Sequence, residues 1–158
     1  MDTMHDLSQW IYGTALSSAI REPFWVVPVV QSIHICAIAV VVGSALVTEL
    51  RIVGIVAPDE SIAVIAQRYL PWMWRALVVL LLTGLVMVVG EPERELTNVI
   101  FWIKMALVLT GALASLGLRR PLLQPLNDSS RTPAKALAWT LLALWVVVIF
   151  CGRWIAYS

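Results

Sequence analysis

Two ionisable side chains stand where the chain is otherwise apolar. His34 lies in the run from Pro23 to Glu49, with Gln31 and Ser32 as its polar neighbours, and Lys104 lies among Phe101, Trp102, Ile103 and Met105. A charge at membrane depth costs roughly 2.5 kcal/mol or more, so such residues turn toward a bundle interior, a cavity or a cofactor. An imidazole in that setting has three uses. It packs as a neutral ring bonded to Gln31 or to a backbone carbonyl, it ligates haem iron axially, or it carries a proton or another metal. No His-x-x-x-His or Cys-x-x-Cys spacing is present to support a copper or zinc centre, which makes those metals the weaker option beside haem iron. Lys104 either snorkels to the nearer interface or pairs with an anion inside the bundle. No carboxylate stands on the apolar runs at its depth. A haem propionate or an anionic substrate is then the natural partner.

Composition decides what holds these residues. The 158 residues are 60% hydrophobic and only 13% charged, too apolar for an ordinary soluble domain. Four runs, near 24–48, 71–90, 97–118 and 136–157, are long enough for a hydrocarbon core that needs about 20 apolar residues per helix. The expected fold is all-α: an integral membrane four-helix bundle, one domain over 1–158, with an N-terminal interfacial amphipathic helix over 4–21. Leu7, Trp10, Ile11 and Leu16 give that helix its apolar face, opposite Asp6, Ser8, Gln9 and Ser17–Ser18. Asp2 and Asp6 stand where a cleavable signal would carry basic residues, so a signal peptide is not expected.

Loop charges set the orientation. Arg51 and Arg68 lie between spans one and two, and Arg119, Arg120, Arg131 and Lys135 between spans three and four. Lys and Arg are retained on the cytoplasmic side, which puts both loops inside and both termini outside in a bacterial inner membrane. Trp25, Trp102 and Trp154 then mark the outer interface, and Trp72, Trp74 and Trp139 the inner one. By rise per residue, His34 sits about 15 Å into span one and Lys104 about 10 Å into span three. Both enter the outer half, and Arg153 near the outer end of span four approaches from above. Gln31, His34, Ile38, Val41, Ala45 and Thr48 share one stripe of span one, and Lys104, Val108, Gly111 and Ser115 one stripe of span three.

Other polar groups read as structural. Glu49 and Arg75 end up on the same side and are expected to pair. Cys36 and Cys151 stand singly on different spans, at depths unsuited to a disulfide. A phosphate-binding glycine loop, a nucleophile elbow and a large basic patch are all missing, and the net charge is +1, so nucleotide, hydrolase and nucleic-acid roles are not expected. Few polar residues on short spans make a poor aqueous path in one protomer, which leaves a channel or transporter thinly supported.

Several motifs together carry a resemblance. Trp25-x-x-Pro28-x-x-Gln31-x-x-His34, Gly43-Ser44, Glu49-Leu50-Arg51-x-x-Gly54, Pro71-Trp72, Thr83-Gly84, Asn98 and Phe101-x-x-Lys104-Met105 resemble an uncharacterised family of small bacterial four-helix membrane proteins. That family's pattern commonly has an acidic residue where Gln31 stands and an aspartate where Glu49 stands, which argues against a carboxylate-plus-imidazole metal site on span one. More distantly, the first-span histidine and the third-span Trp102-x-Lys104 resemble the haem-containing four-helix protoporphyrinogen oxidases and the related copper-resistance D membrane domain. That resemblance implies His34 and Lys104 as the functional pair. The oxidases usually end the first span with Pro-Arg, whereas this chain has Glu49-Leu50-Arg51.

Two classes of function follow. In the first, the chain binds haem b for electron transfer or for oxidation of a porphyrin-like substrate. His34 is then the axial ligand, Gln31 its neighbour, and Lys104 or Arg153 holds a propionate. Since His5 lies outside the spans, the haem is five-coordinate, takes Lys104 or a methionine as sixth ligand, or is shared between two copies. In the second, the chain is a cofactor-free structural or assembly subunit of a larger membrane complex. Its expected partners are the bilayer and either a second copy or a redox complex.

Overall fold

A computed structural model describes the backbone of residues 2–122 and 128–155 and the side chains of 3–115 and 132–154. The chain folds as α1 (Asp2–Tyr12), α2 (Ala15–Arg21), α3 (Val26–Val53), α4 (Ile62–Gly90), α5 (Pro92–Leu96), α6 (Val99–Leu122) and α7 (Asp128–Ile155). No strand occurs among the described residues. Three helices are long and apolar enough to cross a membrane: α3, α4 and the Thr132–Trp154 part of α7. They mark a multi-pass membrane protein. In α6 the described apolar stretch is shorter, Val99–Ser115, and the Arg119, Arg120 and Arg131 side chains lie outside the described residues.

Polarity is arranged opposite to that of a soluble domain. Ser44, Thr48, Glu49 and Ser115 are buried, while Ile33, Ile35, Leu81, Leu82, Leu85, Leu109 and Phe150 are exposed. Lipid is as apolar as leucine, so close contact selects small and polar residues instead of the largest hydrophobic ones. The buried residues of α3 are Ala37, Val41, Ser44, Ala45, Thr48, Glu49 and Ile52. Val41 and Ala45 among them meet Ala66, Leu70, Met73 and Ala76 of α4 and Trp145 of α7 in the main core, and Ile52 packs with Ala138 of α7 in a second cluster. α3 packs against both α4 and α7, and α6 packs on α7, whereas α4 and α6 barely touch. One side of the assembly is therefore open.

Helix ends differ from the sequence expectation at several places, among them the start of α7 at Asp128 instead of 136, and three of the differences have a local cause. The expected 4–21 helix is broken into α1 and α2 because Thr14 turns extended (φ −77°, ψ 149°) and its hydroxyl accepts from the Ser17 amide at 3.3 Å. α3 runs on past Glu49 to Gly54, whose left-handed backbone (φ 98°) closes the helix through its amide and that of Ile55 on the Leu50 carbonyl. α4 begins at Ile62, nine residues before the run expected from position 71, because Ser61 caps it and Ile65, Ala66 and Leu70 bury a face. Pro71 is carried inside that helix; its lost hydrogen bond is tolerable where the helix is held along its length by a neighbour.

α1, α2 and α5 form a cap over one end. His5 lies 3.5 Å from Glu93, Gln9 donates to the same carboxylate at 3.5 Å, and the Arg21 guanidinium stacks 3.5 Å from the Tyr12 ring. A Cβ on Gly90 would stand 3.0 Å from Ile20, so the end of α4 comes against α2 through bare backbone.

Candidate functional site

His34 comes near the start of α3 and Thr83 near the end of α4. By rise per residue, both lie roughly 10 to 12 Å in from the capped end. His34 Nδ1 is 2.7 Å from Thr83 Oγ1. The same hydroxyl lies 2.7 Å from the Val79 carbonyl, which can only accept, so its single hydrogen is committed there. His34 must therefore donate from Nδ1, and the neutral ring keeps its lone pair on Nε2. No described residue occupies Nε2 with a hydrogen bond. The ring sits against Gly84, where a Cβ would be only 3.7 Å from Cε1.

Lys104 reaches the same region from α6. Its Cε and Nζ lie 3.8 Å from where a Cβ on Gly152 of α7 would stand, so the Lys104 side chain lies along α7 at that glycine. The Lys104 charge bears on the imidazole of His34, and Glu95 and Cys151 bear on Lys104. Glu95 belongs to α5, is 8% exposed, and acts on Lys104 without a direct salt bridge. Burial pushes the Glu95 carboxyl above the usual carboxylate range, with Lys104 and then Arg94 pulling it part of the way back.

Of the four residues expected at the site, His34 and Lys104 are near enough for the Lys104 charge to act on the imidazole. Gln31 is exposed, and Thr83 takes the place at His34 that the sequence offered to Gln31 or a backbone carbonyl. Arg153 is exposed in the last turn of α7, next to the glycine that faces Lys104. The expected Glu49–Arg75 pair does not form: Arg75 is exposed with its guanidinium 5.4 Å from the Trp72 ring, leaving Glu49 buried elsewhere. Cys36 and Cys151 are both free thiols. No group of three or more His, Cys, Asp or Glu suited to a metal ion occurs among the described residues.

Sequence reasoning missed Thr83 and Glu95. Thr83 had a signal, being the sole hydroxyl in the run from Ala76 to Gly90 and adjacent to a glycine. Glu95 had none, since only the fold of α5 distinguishes it from exposed Glu91 and Glu93.

A family model described as a family of unknown function, DUF6644, matches residues 24–158. The chain belongs to DUF6644. The match takes in α3 through α7, and so His34, Thr83, Glu95 and Lys104, while α1 and α2 precede it. Membership in DUF6644 agrees with the resemblance to an uncharacterised family and adds nothing to the link with haem oxidases. No curated protein and no solved structure matches the chain.

Proposed function

We propose that this DUF6644 member is a small redox protein of the bacterial inner membrane, in which His34 holds haem b through Nε2. The observation that carries the reading is the Nδ1–H···Oγ1 bond to Thr83, because it leaves the lone pair on the other nitrogen. An outer partner on Nδ1 is the usual companion of a ligating imidazole: it holds the ring's orientation and raises the basicity of Nε2. Bound there, haem would supply one-electron redox chemistry. The chain's own residues hold and shield the group. Thr83 orients His34, and Lys104, with Arg153 nearer the surface, would pair with propionate carboxylates.

The reading includes four crossings, by α3, α4, α6 and α7, with α1 and α2 lying in the outer interface. Buried Ser8 and Ser17 beside exposed Met4, Leu7, Trp10 and Leu16 support the interfacial placement, since this polarity suits a helix with protein on one side and lipid on the other. Arg51 and Arg68 at the uncapped end favour both termini outside. Among the described residues the second histidine, His5, is engaged on Glu93, so one protomer would offer His34 as its imidazole for the haem.

The test is the oxidised and dithionite-reduced absorption spectrum of protein purified in mild detergent from a haem-supplemented culture, with pyridine haemochromogen quantification. A Soret band near one haem per chain, lost in His34→Ala, is the expected result. A Soret band that survives in His34→Ala removes His34 as the ligand. A second reading, a cofactor-free assembly subunit, draws on Glu95: it gives Lys104 a counter-charge from within the chain, so no ligand carboxylate is required. That reading expects colourless protein that co-purifies with a larger complex.

A further inference from the structure

The half of the bundle away from the cap holds a carboxyl that the haem reading does not use. Glu49 is 4% exposed, one turn beyond Ala45 on α3, and its Oε2 has no hydrogen-bond partner. The described charged groups on the elements around it are engaged elsewhere or exposed. On α3, Arg51 donates to the Glu60 carbonyl at 2.7 Å and to the Pro58 carbonyl at 3.3 Å. On α4, Arg68 pairs with the Glu60 carboxylate at 3.1 Å, Arg75 lies over Trp72, and Tyr69 is half-buried without contributing a bond to Glu49. On α7, Lys135 is exposed, and in the α3–α4 loop so is Asp59.

Nearby hydroxyls do not compensate. Thr48 donates its hydrogen to the Ser44 carbonyl at 2.8 Å. The indole N–H groups of Trp74 and Trp145, both in the core built on Val41 and Ala45, have no acceptor. An ionised carboxylate without a counter-charge in such surroundings costs several kcal/mol, and binding a proton removes that cost. No group of three or more His, Cys, Asp or Glu stands there to hold a metal cation among the described residues. We propose that Glu49 is a proton-binding site of the membrane domain: its carboxyl carries a proton in the folded bundle and exchanges it with water at the end of α3. Release breaks the carboxyl O–H bond, passes the proton to water and leaves the carboxylate. The site stands apart from His34 and does not depend on haem.

The full-length protein in detergent is followed by infrared spectroscopy across pH in the carbonyl region of protonated carboxyls, for wild type, Glu49→Gln and Glu95→Gln. A protonated-carboxyl band at neutral pH that disappears in Glu49→Gln and persists in Glu95→Gln is expected. Glu49→Asp keeps a carboxyl and shifts the band, which assigns it should the glutamine variant not fold. Labelling by dicyclohexylcarbodiimide, which adds to a protonated carboxyl in an apolar site, is expected on the peptide containing Glu49 and to fall about tenfold per pH unit once the band is titrated away. Spectra that coincide for wild type and Glu49→Gln at neutral pH overturn the proposal. So does loss of the band on adding sodium at constant pH and ionic strength, which would make the site a metal-cation site.

Discussion

A single hydrogen decides the chemistry open to His34. Because Thr83 commits its proton to the Val79 carbonyl, the imidazole is held as the Nδ1–H tautomer, with the lone pair left on Nε2. Under the haem reading, Thr83→Val removes the acceptor and is expected to weaken haem affinity about 10- to 100-fold, with Thr83→Ser restoring most of it. Haem titration of the apoprotein by Soret absorbance measures both. Glu95 has a separate signature. Its carboxyl is raised above the unfolded value mainly by burial, so the folded state binds more protons and loses stability as pH rises from the unfolded value through the folded one. Glu95→Gln is therefore expected to melt above wild type at pH 8 and with it at pH 4. A difference of equal size at both pH values would show that Glu95 acts through packing instead.

At the scale of the elements, glycines and hydroxyls determine how closely helices pass. A Cβ on Gly111 would meet Leu144 at 3.0 Å and Trp145 at 3.2 Å, whereas one on Gly43 meets nothing within 4 Å. Gly111→Leu is expected to cost about 1 to 3 kcal/mol by forcing α6 off α7, whereas Gly43→Ala should be neutral or stabilising by a few tenths. Thermal unfolding in detergent separates the two. The sequence placed Gly111 on one stripe with Lys104 and Ser115 without distinguishing a packing contact from space for a ligand. In the structure the positions divide: Gly111 is a packing contact with α7, while Gly84 and Gly152 lie beside His34 and Lys104. Helix termini were harder to read. The ends of α3 and the start of α4 depend on Gly54 and Ser61, short-range signals that the hydrophobic pattern overrides when spans are sought by length alone.

Across the whole molecule, the cap and the arginines of the opposite end make the two ends chemically unlike. The proposed orientation expects an alkaline phosphatase fusion after Ser158 to be active and a fusion in the loop at Asp59 to be inactive. The reverse pattern would invert the topology and put His34 in the inner half. The weak contact between α4 and α6 leaves one flank open, and His34 and Lys104, carried by α3 and α6, act on each other across the assembly.

Membrane class and helical content were determined by sequence, because long apolar runs are a property of composition and spacing. Partners were decided only in three dimensions. Thr83 on His34, Glu95 acting on Lys104, Gln31 exposed, and Glu49 buried apart from Arg75 all depend on rotation about helix axes and on how α5 folds. Between two apolar helices many rotations bury similar surface, and it is contact at small and polar side chains that selects one.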